Sequence, residues 1–253
     1  MTTKTTQWVI AAALALAVTA APVSALLIDD FGTDQAEVVD TDSSDSVSVF
    51  SYANQVAGTT ILGLQREIEV RSTDGAQGGS GTGAQVDFGV YLHAQDPGNP
   101  GVQGWSRLTW DGQDEPATPP YTVDYDGLNA DLTAGGEKYF NIEVACDADF
   151  PLTWTVYDRN DPSGASYGTL TQTIADNSSI LTPYKFPFTW ISWTNTDSTA
   201  LTRVGALQLY IDGTADRALD VTIDLVDTVV PEPNTLALLG LGLAGLVMRR
   251  RRS

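Results

Sequence analysis

Residues 219–226 read Leu-Asp-Val-Thr-Ile-Asp-Leu-Val. Leu219, Val221, Ile223 and Leu225 alternate with Asp220, Thr222, Asp224 and, at the end, Val226. A period of two sends successive side chains to opposite faces of an extended chain. The stretch therefore predicts a strand with an apolar face on a core and a polar face toward water. The same rhythm recurs upstream. Val86, Phe88, Val90 and Leu92 alternate with Asp87, Gly89, Tyr91 and His93, and Leu207, Leu209 and Ile211 with Gln208, Tyr210 and Asp212. Further strands are expected at 47–52, 59–62, 66–71, 105–110, 139–146, 152–157, 169–174 and 184–191.

Turn signals separate these runs: Asp74-Gly75, the Pro/Gly-rich 96–101, Asp111-Gly112, Asp126-Gly127 and Asp212-Gly213. Residues 77–83, Gln-Gly-Gly-Ser-Gly-Thr-Gly, read as a flexible loop tip. No stretch sustains a helical period. About ten or eleven short strands with regular breaks predict an all-β protein, an antiparallel β-sandwich of jelly-roll type.

The two ends read differently from the middle. Lys4 precedes an apolar run from Trp8 to Val18, and Val23-Ser24-Ala25 forms a small-residue cleavage site. That order is a secretory signal peptide over 1–25, cut after Ala25, with Ala21 as the alternative. The other end reads Val230-Pro-Glu-Pro-Asn-Thr, then an apolar run from Leu236 to Met248, then Arg249, Arg250, Arg251, Arg252 and Ser253. The 13 apolar residues cover roughly 20 Å as a helix, against about 30 Å of hydrocarbon. Snorkelling arginines extend its reach and hold that end in the cytoplasm. A short C-terminal transmembrane helix is expected, with the prolines breaking it from the preceding domain.

Pro231, Glu232, Pro233, the Gly-containing apolar run and Arg249–Arg252, in that order and at the chain end, resemble the PEP-CTERM sorting signal. The resemblance implies recognition by an exosortase, a membrane-embedded cysteine protease of Gram-negative bacteria. It further implies transient anchoring in the inner membrane, then delivery to the cell surface or to an extracellular exopolysaccharide or biofilm matrix. The division expected is signal peptide 1–25, β-sandwich 26–229 and sorting signal 230–253.

The whole chain carries a net charge of −19. Without Lys4 and the four terminal arginines, 8 bases face 31 acids between the two ends, so the middle stands at −23. Such a surface repels phosphate backbones and excludes nucleic acid as a partner. One cysteine, Cys146, and one histidine, His93, exclude an internal disulfide and a His/Cys zinc site.

Two motifs are decoys. Gly240-Leu-Gly-Leu-Ala-Gly245 spells a dinucleotide fingerprint but lies between prolines and arginines rather than between a strand and a helix. Gly164-Ala-Ser166-Tyr-Gly168 spells a nucleophile elbow, yet no histidine follows it in the chain. Acid pairs such as Asp111/Glu115 and Asp124/Asp126 fall in turns, and no catalytic residue is assigned.

A second resemblance covers the middle. Leu27-Ile-Asp-Asp-Phe31 and Val221-Thr-Ile-Asp-Leu225 are similar to the first and last strands of galactose-binding-like jelly rolls. That likeness implies a sandwich, a structural calcium ion and, in some members, a sugar cleft. Asp29, Asp30 and Asp224 would meet as calcium ligands if the first and last strands pair. Trp105 and Trp193, near loops, are the candidates for stacking on sugar. Two functions follow: a non-catalytic component of the cell surface or matrix, or a carbohydrate-binding module for extracellular polysaccharide.

Overall fold

The computed structural model describes residues 25–44, 47–76, 80–96, 101–113, 122–178 and 180–230. The expected signal peptide, Pro-Glu-Pro motif and transmembrane helix lie outside the described residues. Among the described residues, fourteen strands form two antiparallel sheets, giving a jelly-roll sandwich. The strands are β1 Leu27–Asp29, β2 Gln35–Asp40, β3 Val49–Asn54, β4 Gln65–Asp74, β5 Thr82–Asp87, β6 Val90–Gln95 and β7 Gln103–Trp110. They continue as β8 Tyr139–Cys146, β9 Phe150–Asp158, β10 Tyr167–Ile174, β11 Thr182–Pro187, β12 Ser192–Thr194, β13 Val204–Gly213 and β14 Asp220–Val229. The first sheet runs β11-β8-β14-β6-β5-β2, with β1 also paired to β14. The second runs β12-β10-β9-β13-β7-β4-β3.

The core lies between the sheets. Phe140 of β8 stacks on Trp154 of β9 with ring centroids 4.2 Å apart, and Trp154 stands 6.3 Å from Trp110 of β7. Ile68, Leu108, Leu152, Val156, Leu209 and Ile211 line the inner side of the second sheet, and Val86, Val144, Val221 and Ile223 that of the first.

The expected strands form with several corrections. The alternation over 86–93 is two strands. Phe88 and Gly89 both take positive φ, at 53° and 79°, and make the two-residue turn of the β5–β6 hairpin. Periodicity alone does not reveal this turn, because a tight hairpin preserves alternation. In β14 the register shifts between Ile223 and Val226. Leu225 is therefore only half-buried and Val226 fully buried, the reverse of the simple alternation.

Residues 59–62 make a bridge at Ile61 and enter a short 3₁₀ turn instead of a strand. Strand β11 stops at Pro187, where another 3₁₀ turn begins. Thr82 and Gly83 belong to β5 rather than to the loop tip. Asp212 and Gly213 end β13, and the turn follows them, with Asp212 Oδ1 accepting from Thr214 N at 3.0 Å. Strands β2 and β12 had no clear sequence signal. Among the described residues, no helix is long and apolar enough to cross a membrane.

Candidate functional site

The first and last strands do pair, Leu27 opposite Asp227 and Asp29 opposite Val226. The pairing turns Asp29 into the core. Its Oδ1 accepts from Phe31 N at 2.8 Å and its Oδ2 from Trp110 Nε1 at 2.9 Å. Arg66 supplies the countercharge and spends its remaining donors on Gln35 Oε1 and the Thr33 carbonyl. Asp30 accepts from Gly32 N and Thr60 N, bracing the loop after β1. Asp224 sits in the bulge of β14. Among the described residues, no group of three His, Cys, Asp or Glu side chains could hold a metal ion, these three included.

Ser166 donates weakly to the Asn195 carbonyl at 3.4 Å. His93 is on the inner face of the other sheet, where burial pushes its imidazole down to about 3 and keeps it neutral. Asp124 and Asp126 share a turn in which Asp126 N donates to Asp124 Oδ1 at 3.2 Å, and the Asp124 side chain, by hydrogen bond and charge, raises the Asp126 carboxyl above its ordinary range. Glu115 lies outside the described residues.

Two outer surfaces remain. On the first sheet an open cleft of about 390 Å³ has Gly83, Ala94 and Ala145 among its lining residues, with Glu37, Leu92 and Asp220 beside them. No Phe, Tyr or Trp lines it.

The outer face of the second sheet is different. Residues opposite one another in an antiparallel register share a face. Phe50, Glu69, Arg107, Tyr210, Thr153 and Thr171 therefore form one row across β3-β4-β7-β13-β9-β10. Tyr52, Glu67, Thr109, Gln208, Thr155 and Thr169 form the next. Arg71, Trp105 and Asp212 extend the face on one side, and Tyr157 and Tyr167 on the other. Six strands at ~4.8 Å spacing make each row roughly 24 Å long.

This face is densely connected. The Trp105 and Tyr210 rings stand 5.4 Å apart, and the Arg107 guanidinium lies 5.9 Å over Trp105 while pairing with Glu69. Tyr157 donates to Gln208 Oε1 at 3.1 Å, and Gln208 Nε2 donates to Thr109 Oγ1 at 3.1 Å. Burial, helped by the Asp212 charge, pushes the Tyr210 phenol up, so its hydroxyl stays protonated.

The two expected stacking residues separate. Trp105 sits on this outer face. Trp193 pairs with Gly168 in a row that faces inward, and it packs against the core. Four strand intervals, about 19 Å, also lie between them. Sequence reading missed Glu67, Glu69, Gln208 and Tyr210 as neighbours of Trp105. The alternation of β4 and β13 marks each as outward-facing, but only the register brings them together.

Residues 229–252 match the PEP-CTERM protein-sorting motif. Val229 is also the last residue of β14, so the matched segment begins where the sandwich ends. No curated protein matches the chain. Among solved structures it is similar to a family 11 carbohydrate-binding module of a cellulosomal cellulase of Clostridium thermocellum. That pair is 9% identical with a TM-score of 0.40, over 83% of this chain and 97% of that one. A family 29 carbohydrate-binding module from Piromyces equi is 9% identical with a TM-score of 0.32, over 72% of this chain and 90% of that one. An agarase is 11% identical with a TM-score of 0.38, over 78% of this chain and 25% of that one. The tail match supports an exported protein sorted through an exosortase, its C-terminus held transiently at the membrane.

Proposed function

We propose that this chain is a non-catalytic component of the cell surface or exopolysaccharide matrix of a Gram-negative bacterium. In this reading residues 1–25 leave as a signal peptide, 26–229 are the working sandwich, and an exosortase cuts the tail 230–253 near Pro231-Glu232-Pro233. The observation that carries it is the sorting motif at 229–252, set directly after the last strand. The described ladder of the sandwich ends at Val229, two positions before Pro231 in the sequence.

The experiment is a mass spectrum of the protein recovered from the cell surface or medium. The expected mass lacks both the leader and everything beyond the Pro-Glu-Pro region. Replacing Pro231 and Pro233 by Ala should leave the protein in the inner-membrane fraction, and unchanged release would overturn exosortase handling.

Carbohydrate binding is the second reading. The specific observation in its favour is the ring-lined outer face of the second sheet, with Trp105 and Tyr210 side by side.

A further inference from the structure

The geometry points to the outer face of the β4-β7-β13-β9 strands as a binding site for an uncharged polysaccharide segment, lying across the strands over Trp105, Tyr210 and Gln208. The inference rests on the carbohydrate-binding reading and gives it a place and a ligand class.

The first argument is burial. An outward row on a sheet is ordinarily solvated, yet Glu67 is 7% exposed, Glu69 8%, Thr109 4% and Gln208 3%. Polar side chains this buried normally spend all their hydrogen-bonding capacity. Gln208 and Thr109 meet this rule through each other, but on the two arginines of the same face the buried Arg71 Nε and Arg107 Nε donors have no hydrogen-bond partner. Leaving a buried donor unmade costs on the order of 1–3 kcal/mol. Two such donors on one face, Arg71 opposite Trp105 and Arg107 opposite Glu69, fit a partner that brings its own acceptors.

The second argument is the mixture of surfaces. Trp105 and Tyr210 offer apolar ring faces beside these polar groups. A pyranose ring has matching chemistry, with C–H groups on its faces and hydroxyls, each a donor and an acceptor, around its edge. Carboxylates such as Glu67 and Glu69 accept from hydroxyls, and guanidinium and amide N–H groups donate to them.

The third argument is charge. Glu67, Glu69 and Asp212 outnumber Arg71 and Arg107 on the face, and Arg107 is already paired with Glu69. With the middle of the chain at −23, an anionic polymer is repelled both locally and at long range. The cleft on the first sheet, with no Phe, Tyr or Trp among its lining residues, does not offer the same combination.

The test uses the full chain in a zwitterionic, sugar-free detergent, with affinity electrophoresis and calorimetry against a β-glucan, a galactomannan, agarose oligosaccharides and alginate. At least one neutral polymer is expected to bind saturably, and alginate is not. Trp105→Ala and Gln208→Ala should each weaken that binding by about tenfold or more. Tyr210→Phe keeps the ring and removes only the hydroxyl, so it reads the site even if Trp105→Ala misfolds, and it should weaken binding several-fold. Thr222→Arg, in the cleft of the first sheet, should change nothing. Binding to no neutral polymer, to alginate alone, or binding that survives both Tyr210→Phe and Gln208→Ala or is lost with Thr222→Arg overturns the assignment. Tail processing is read by mass and fractionation, so failure here leaves the sorting reading untouched, and the converse holds.

Discussion

Arg66 Nη1 donates to both carboxylate oxygens of Asp29, at 2.9 and 3.0 Å, and neither side chain has any exposed surface. The pair joins β1 of one sheet to β4 of the other. Arg66→Met strands a carboxylate in the core, and losing one partner of a buried pair costs about 3–5 kcal/mol. Urea unfolding followed by tryptophan fluorescence should show that loss. The double change Asp29→Leu with Arg66→Met should recover much of it. A double variant as unstable as the single one would show that the pair adds stability beyond cancelling its own desolvation.

Asp158 gives a pH dependence of defined sign. Hydrogen bonds from Arg203 at 2.8 and 2.7 Å, with Thr196 Oγ1 at 2.7 Å, hold its carboxyl down at about 2. A depressed carboxylate binds its proton less readily folded than unfolded. Its contribution to stability is therefore complete above pH 4 and is lost as pH falls toward 2. Arg203→Gln should lower stability at pH 6 and flatten the loss between pH 4 and 2 relative to the parent chain. Parallel acid-unfolding curves of the two proteins would contradict this.

Phe88 sits at the tip of the β5–β6 hairpin with φ 53° and 93% of its surface exposed. A bulky residue there carries the left-handed backbone without any packing return. Phe88→Asn should raise the melting temperature by roughly 2–4 °C, corresponding to about 1 kcal/mol. A fall on thermal unfolding would mean that the ring makes a contact that matters for stability.

The sandwich was legible because both sheets place one face on a shared core, so β8, β9, β13 and β14 carry their period openly. What alternation cannot carry is a change of partner at constant period. The Phe88-Gly89 turn and the bulge after Ile223 are both of that kind. The site was legible as a single residue, Trp105. Glu69 and Tyr210 are 36 and 105 positions from it in sequence, and only the β4-β7-β13 register sets them around its ring. Asp29 shows the same limit: its countercharge, Arg66, is 37 residues away, and only the fold brings the two together.

Strand β14 lies between β8 and β6 in the middle of the first sheet and also holds β1. The centre of that sheet is thus the last of the described strands to be synthesised. Until Val229 arrives, β8 and β6 have no common neighbour and β1 lacks its ladder partner. Assembly of the globule is therefore obliged to wait for the very segment that precedes the sorting tail, so a molecule truncated before residue 220 should remain uncollapsed and open to proteases.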